Sequence, residues 1–243
     1  MDDKFVNQIQ TNLNIVMEKV YLATGKRGRD AGSVRLIVVT KGQPLEIVKA
    51  AIQVGARILG ENYAEEAVEK IYSLETKSEV EWHMIGHVQR RKTDLVARNF
   101  NMLHSLDSLK LAKKLDQSLS GSGSNMPVLL EFNVGGEMNK FGWQAHDPHN
   151  WDGFLKEIEQ ILELTNLTIK GLMTMPPYYD DPERSRYHFQ MLVKLREFLL
   201  NQFRGVDLQE LSMGTSSDYE VAVEEGATYI RIGQAILGKR PTQ

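Results

Sequence analysis

The chain has 243 residues, 42% hydrophobic and 25% charged, with a formal net charge of −3 from 29 basic and 32 acidic side chains. This length suits one domain with a large core, and the balanced charge gives no overall attraction to nucleic acid or to an anionic membrane. With no cysteine in the sequence, disulfides, thiolate metal sites and cysteine nucleophiles are excluded, a composition compatible with a reducing compartment.

Asp2 and Asp3 stand where a secretory leader would need positive charge. No apolar run approaches the roughly 18 residues of a membrane-spanning helix. The chain therefore reads as a cytoplasmic protein. Phe5, Ile9, Leu13, Val16 and Val20 fall near helical spacing and predict an N-terminal helix within residues 1–30, packed across one end or side of the main fold.

Apolar runs then recur at Arg35–Thr40, Arg57–Gly60, Trp82–Ile85, Met102–Leu106, Pro127–Val134, Leu167–Met173, Glu210–Met213 and Tyr229–Ile232. Between them lie segments of helical character at Pro44–Val54, Asn62–Leu74, Arg90–Arg98, Ser108–Leu119, Pro148–Leu164, Glu183–Gln202 and Ser217–Glu224. Eight strands alternating with helices predict parallel βα units, and eight is the number that closes a (β/α)8 barrel; an open doubly wound sheet is the alternative. Ser118–Asn125 reads as a flexible helix-to-strand connection, and the segment after Pro176 as an irregular excursion. Neither divides the chain, so residues 1–243 are expected to form a single domain.

In a barrel of this kind, active sites form where strands run into the following loops. The unusual residues fall there: Lys41 after the first run, Gly60, Glu61 and Asn62 after the second, Gly86, His87 and Gln89 after the third. Ser212 to Ser217 and then Gly233 to Gln234 follow the last two, the preferred phosphate position of the fold, with small residues that let an anion approach the main chain. A lysine held in that mouth loses its proton more readily than a solvated one, and the free amine can attack an aldehyde. Arg231 offers a permanent cation to a ring nitrogen or to a phosphate, and the sequence alone does not choose.

His83 and His104 read individually as packed, hydrogen-bonded histidines. His83 and His87 span a strand and its exit loop, without the helical spacing of a metal pair, so no metal is assigned. The basic run Gln89–Lys92 reads as a solvated helix start, and nucleic acid is not expected as a partner.

Taken together, VVTKGQP around Lys41, GENYAEE from Gly60, WHMIGHVQ from Trp82, HSLDS from His104, FNVGGEMNKFG from Phe132, GLMTMPP from Gly171, SMGTSSD from Ser212 and YIRIG from Tyr229 resemble the YggS/PROSC family of pyridoxal 5′-phosphate (PLP) homeostasis proteins over nearly everything from Leu36 to Arg240. The resemblance implies a fold-type III PLP barrel, similar to the barrel of alanine racemase, with Lys41 forming the internal aldimine and Arg231 facing the pyridine nitrogen. It also implies phosphate binding by segments containing Ser212, Met213, Gly214, Ser216, Gly233 and Gln234, with Asn62 and His83 near the cofactor ring or its support. An arginine opposite the ring nitrogen disfavours a pyridinium and weakens the electron sink, so strong carbanion chemistry is not the expected task. Two places depart from the family pattern: Thr215 stands where SMGMS is frequent, and Gln234 where Thr or Ser is common.

Three functions follow as expectations. The favoured one is a PLP carrier without robust catalysis, acting in vitamin B6 and amino-acid homeostasis, with PLP-dependent apoenzymes or regulatory proteins as partners. A PLP-dependent amino-acid racemase is the second. It needs an acid/base group on the opposite face of the substrate carbon, which alanine racemases take from a further C-terminal domain that this sequence, ending shortly after Arg240, is expected to lack. The third is a PLP-responsive regulator of a protein partner. The resemblance further implies a monomer.

Overall fold

The computed structural model describes residues 3–74, 80–121 and 123–240. Among the described residues nine strands are formed: β1 (Arg35–Val39), β2 (Ile58–Glu61), β3 (Glu81–Met84), β4 (Met102–Leu106), β5 (Met126–Asn133), β6 (Trp143–Gln144), β7 (Leu167–Met173), β8 (Glu210–Ser212) and β9 (Tyr229–Ile232). Eight of them run parallel in the cyclic order β1-β2-β3-β4-β5-β7-β8-β9, with β9 returning to β1 and β4 pairing β5, so the sheet closes. The open-sheet alternative is thereby ruled out, and the architecture is a TIM barrel.

The helices are α1 (Asp3–Gly25), α2 (Leu45–Gln53), α3 (Ala64–Ser73), α4 (Thr93–Asn99), α5 (Leu109–Leu119), α6 (Asp152–Leu162), α7 (Arg186–Gln202), α8 (Tyr219–Glu224) and α9 (Gln234–Leu237). Three segments expected as single helices begin instead with a 3-10 turn, at residues 90–92, 148–150 and 182–185. In the last two, Pro148 and Pro182 occupy the first turn while the Asp147 and Asp181 carboxylates accept from the N–H groups of His149 and Glu183. This pairing of a proline with a capping carboxylate tightens the entry. Ser118 belongs to α5, so the expected 118–125 connection is shorter; Ser122 within it lies outside the described residues, as do Met1 and Asp2. Neither β6 nor α9 was visible in the pattern, because two and four residues carry no usable period.

The core forms two layers. A large cluster joins the outer face of the strands to the helices, with Phe154, Ile158 and Ile161 from α6 and Phe189, Leu192, Leu195 and Leu199 from α7. Each such side chain contributes about 1.5–3 kcal/mol on burial. Inside the barrel lies a small apolar layer of Ile37, Met102, Leu129, Met173 and Tyr229. Ile58 and Ile85 pack against it, and His83, His104, Ser212 and Arg231 are buried polar groups of the interior.

Helix α1 lies against α2, α8 and α9. It is tied there by ion pairs of Lys19 with Glu220, Lys26 with Glu224 and Arg27 with Glu225, and by Asn12 donating to the Ile236 carbonyl at 2.9 Å. One register break also matters. Opposite β5, Lys170 is the extra residue of a bulge in β7, and the chain then passes Gly171 directly beside β8. A Cβ at Gly171 would stand 1.9 Å from the Glu210 carbonyl oxygen. Gly171→Ala must therefore prise β7 from β8, and a loss of about 2 kcal/mol or more is expected in urea unfolding. An unchanged unfolding midpoint would refute this reading of the bulge.

Candidate functional site

At the end of β1 the chain turns through Thr40 to Lys41, and a buried ionic cluster holds that turn. Lys70 Nζ, from α3, donates to the Thr40 carbonyl at 2.8 Å, to Glu61 Oε1 at 2.8 Å and to Glu66 Oε1 at 2.6 Å. Thr40 Oγ1 donates to the same Glu61 oxygen at 2.7 Å, and the Gly42 N–H to Glu66 at 2.6 Å. Burial raises the pKa of Glu61 despite the opposing pull of Lys70. Both carboxylates near the Lys41 turn are thus occupied by another lysine.

Lys41 opens into a cavity of about 830 Å³ at the end of the barrel where the strands terminate. Its pKa is lowered, first by burial and then by the positive charges of Arg240 and Arg231, against the weaker opposing effect of Glu61 and Glu66. The free amine is accordingly more accessible near neutrality than for a solvated lysine.

Arg231 reaches the same cavity from β9. Nη1 donates to Ser212 Oγ and Nη2 to the Thr174 carbonyl at 2.9 Å, which fixes the guanidinium against the ends of β7 and β8. Full burial pushes its pKa down to about 10, with Asp218 and Glu131 opposing, so it remains a cation at neutral pH. Beside it Glu131, on β5, is pushed up to about 7 by burial, with Asp107 adding and Arg231 opposing.

Ser216 and Gly233–Gln234 meet at one flank, where the Ala235 N–H donates to Ser216 Oγ at 3.4 Å. Gly214, at φ 91°, sets this flank; a Cβ there would lie 2.6 Å from the Ala222 Cβ. Thr215 is fixed by its N–H and hydroxyl on Asp218 Oδ1, at 2.7 and 3.1 Å. Across the mouth, His87 bonds Asp107 at 2.7 Å and stacks on Phe141 with ring centroids 3.6 Å apart.

Of the residues expected at the site, Lys41, Asn62, Ser216, Arg231, Gly233 and Gln234 line the cavity. Four do not. Met213 is buried in the layer between barrel and helices, and Gly214 packs against α8. Ser212 and His83 point into the barrel interior, where Ser212 Oγ serves Arg231 and His104 and His83 bonds His104. His83 and His87 face different compartments. Sequence reasoning missed the Lys70 cluster, Glu131 and Arg240. For Arg240 a faint signal existed, a cation just beyond Gly238, and its side chain lies beside Gly42.

Residues 25–241 match the family model of the alanine racemase N-terminal domain. The pyridoxal phosphate homeostasis protein of Aquifex aeolicus is 38% identical, covering 94% of this chain and 96% of that one. The chain belongs to the pyridoxal phosphate homeostasis protein family. The human homeostasis protein is 36% identical across 94% of this chain and 85% of its own length. PipY of Synechococcus elongatus, solved with PLP bound, superposes with a TM-score of 0.81 at 30% identity, covering 95% of this chain and all of that one. An alanine racemase of Clostridium difficile, 15% identical, shares the fold with a TM-score of 0.70, covering 98% of this chain and 58% of that one.

Removing the Arg240 charge relieves Lys41 of a repulsive neighbour. Arg240→Ala is expected to move the pH profile of Lys41 acetylation upward, read by competitive labelling and mass spectrometry, and high salt should shrink the difference. A profile that stays put or moves downward would contradict this electrostatic account.

Proposed function

We propose that this homeostasis protein binds pyridoxal 5′-phosphate at the barrel mouth through Lys41 and works in vitamin B6 and amino-acid homeostasis as a reversible carrier. The observation that carries the reading is a lysine amine with its ammonium form disfavoured, sharing one cavity with a permanent cation and a small-residue flank. The donor set fits the group. When bound, PLP supplies a carbonyl carbon open to amine attack, a ring nitrogen and a phosphate dianion. Lys41 would be the amine in reach, Arg231 would donate to the ring nitrogen, and Ser216 with Gly233 and Gln234 would surround the phosphate. Arg240 adds positive charge to the same cavity, whereas Lys92, which also lines it, is paired with Glu65.

Non-catalytic carriage is supported by what Arg231 does. Anchored by Ser212 and Thr174 and cationic at neutral pH, it offers hydrogen to a ring nitrogen and takes none from it. A ring nitrogen held opposite it would stay unprotonated, which would weaken electron withdrawal from a substrate carbon. PLP-dependent apoenzymes are the natural recipients of a cofactor held by a bond that an incoming amine can exchange.

Borohydride reduction after PLP addition should attach the cofactor irreversibly to Lys41, mapped by mass spectrometry. Lys41→Ala should lose that adduct together with the visible absorption of the bound cofactor. Incubation with a panel of L-amino acids should leave their chirality unchanged. A wild-type protein that folds yet gives no Lys41 adduct would sink the assignment, and racemisation that disappears in Lys41→Ala would replace carriage by catalysis.

A further inference from the structure

The polar interior of the barrel forms one continuous chain of hydrogen bonds from mouth to mouth. At the end opposite the main cavity lies a second cavity of about 240 Å³, lined by Arg35, Glu81, His83, Lys170, Asp207 and Tyr229 among others. Glu81 Oε2 lies 3.3 Å from His83 Nε2, His83 Nδ1 lies 3.0 Å from His104 Nε2, and His104 Nδ1 lies 2.9 Å from Ser212 Oγ. Ser212 in turn accepts from Arg231 in the main cavity. His83 and His104 are all but fully buried.

The carboxylate end fixes every proton in the series, and the arginine end is compatible with that order. A carboxylate only accepts, so His83 must carry its hydrogen on Nε2 and present a lone pair at Nδ1. His104 then donates from Nε2 and accepts at Nδ1, which obliges the Ser212 hydroxyl to donate to it. That leaves the Ser212 oxygen lone pairs aimed at Arg231, which only donates. No atom in the series is used twice in conflicting roles. Neutrality of both rings agrees with burial, which lowers the pKa of His83 and drives that of His104 well down. Their other charged or titratable neighbours, Arg35, Arg231 and Tyr229, leave the assignment intact. The two cations oppose protonation of His104, and Tyr229 meets both rings edge-on.

We propose that Glu81, His83, His104 and Ser212 form a proton-ordered chain through the barrel interior that makes His104 and Ser212 positioning residues for the Arg231 guanidinium. The proposal rests on Arg231 being a cofactor contact only for its consequence in PLP affinity; the ordering itself is a property of the protein alone. The carboxylate is the decisive end. Ser212 could accept from both of its neighbours at once, so without Glu81 nothing would forbid the reversed tautomers.

The test is nitrogen-15 NMR of the histidine rings at neutral pH, without PLP, assigned by single substitution. Both His83 and His104 are expected as the neutral Nε2–H tautomer. In Glu81→Leu, at the far mouth, a second tautomer should appear at both rings. Either ring protonated on Nδ1 or on both nitrogens in the wild type would overturn the proposal, as would unaltered tautomers in Glu81→Leu. For the positioning role, PLP affinity should fall about tenfold or more in His104→Leu and be largely restored in His104→Asn, whose Oδ1 takes the Nδ1 position as an acceptor. Equal losses in both variants, or no loss in either, would count against it. If His104→Leu does not fold, Ser212→Ala reads the same loss from the Arg231 side. A wild-type protein that fails to bind PLP would defeat the proposed function, while the ring spectra would still decide the ordering.

Discussion

Lys70 takes up both carboxylates that approach the Lys41 turn, and the chemistry at the barrel mouth depends on that diversion. Glu61 is fully buried and Glu66 partly so, and either would otherwise serve as a counter-ion for Lys41 and stabilise its ammonium form. Because Lys70 binds them together with the Thr40 carbonyl, it holds the Lys41 turn and leaves the two carboxylates only a weak pull on the Lys41 amine. Lys41 itself has no ion pair among the described residues, and after burial the charges that act on it most are the cations Arg240 and Arg231. The arrangement is costly to disturb, since removing one member of a buried pair typically costs about 3–5 kcal/mol.

A closed parallel barrel ordinarily fills its interior with branched apolar side chains. Here, among the described residues, a thin apolar layer with Ile58 and Ile85 packed on it does so, and much of the remaining volume goes to His83, His104, Ser212, Glu131 and Arg231. Burying a guanidinium is tolerable because its donors meet Ser212 and Thr174, hydrogen bonds to a charged group being worth about 1.5–3 kcal/mol each. The interior therefore acts as the rigid support of a surface site. Arg231 is held from below, and Lys41 from the side.

Much of this was legible in the chain. Largely apolar runs such as LIVV of β1 and the fully buried YIRI of β9 mark the strands, and their number and alternation with helices pointed to the closed barrel. Lys41 and Arg231 stood out because polar residues at the ends of such runs have no place in a core. Side-chain parity did not show, because a strand's inward and outward faces depend on register. Ser212 points inward and Met213 outward, so one motif holds residues of two different compartments. The Lys70 cluster was invisible for another reason. The spacing of Glu66 and Lys70 on α3 suggests an ordinary helix-surface pair, and only the docking of α3 against β1 and β2 turns it into a clamp.

The central claim, that one lysine with a disfavoured ammonium form and one anchored arginine define a cofactor seat, is tested most directly by a crystal structure of the protein with PLP. The account predicts continuous density between Lys41 Nζ and the cofactor carbon, the ring nitrogen facing the Arg231 guanidinium, and the phosphate beside Ser216 and Gly233. Cofactor density joined to any other lysine, or a ring turned so that its nitrogen points away from Arg231, would contradict it.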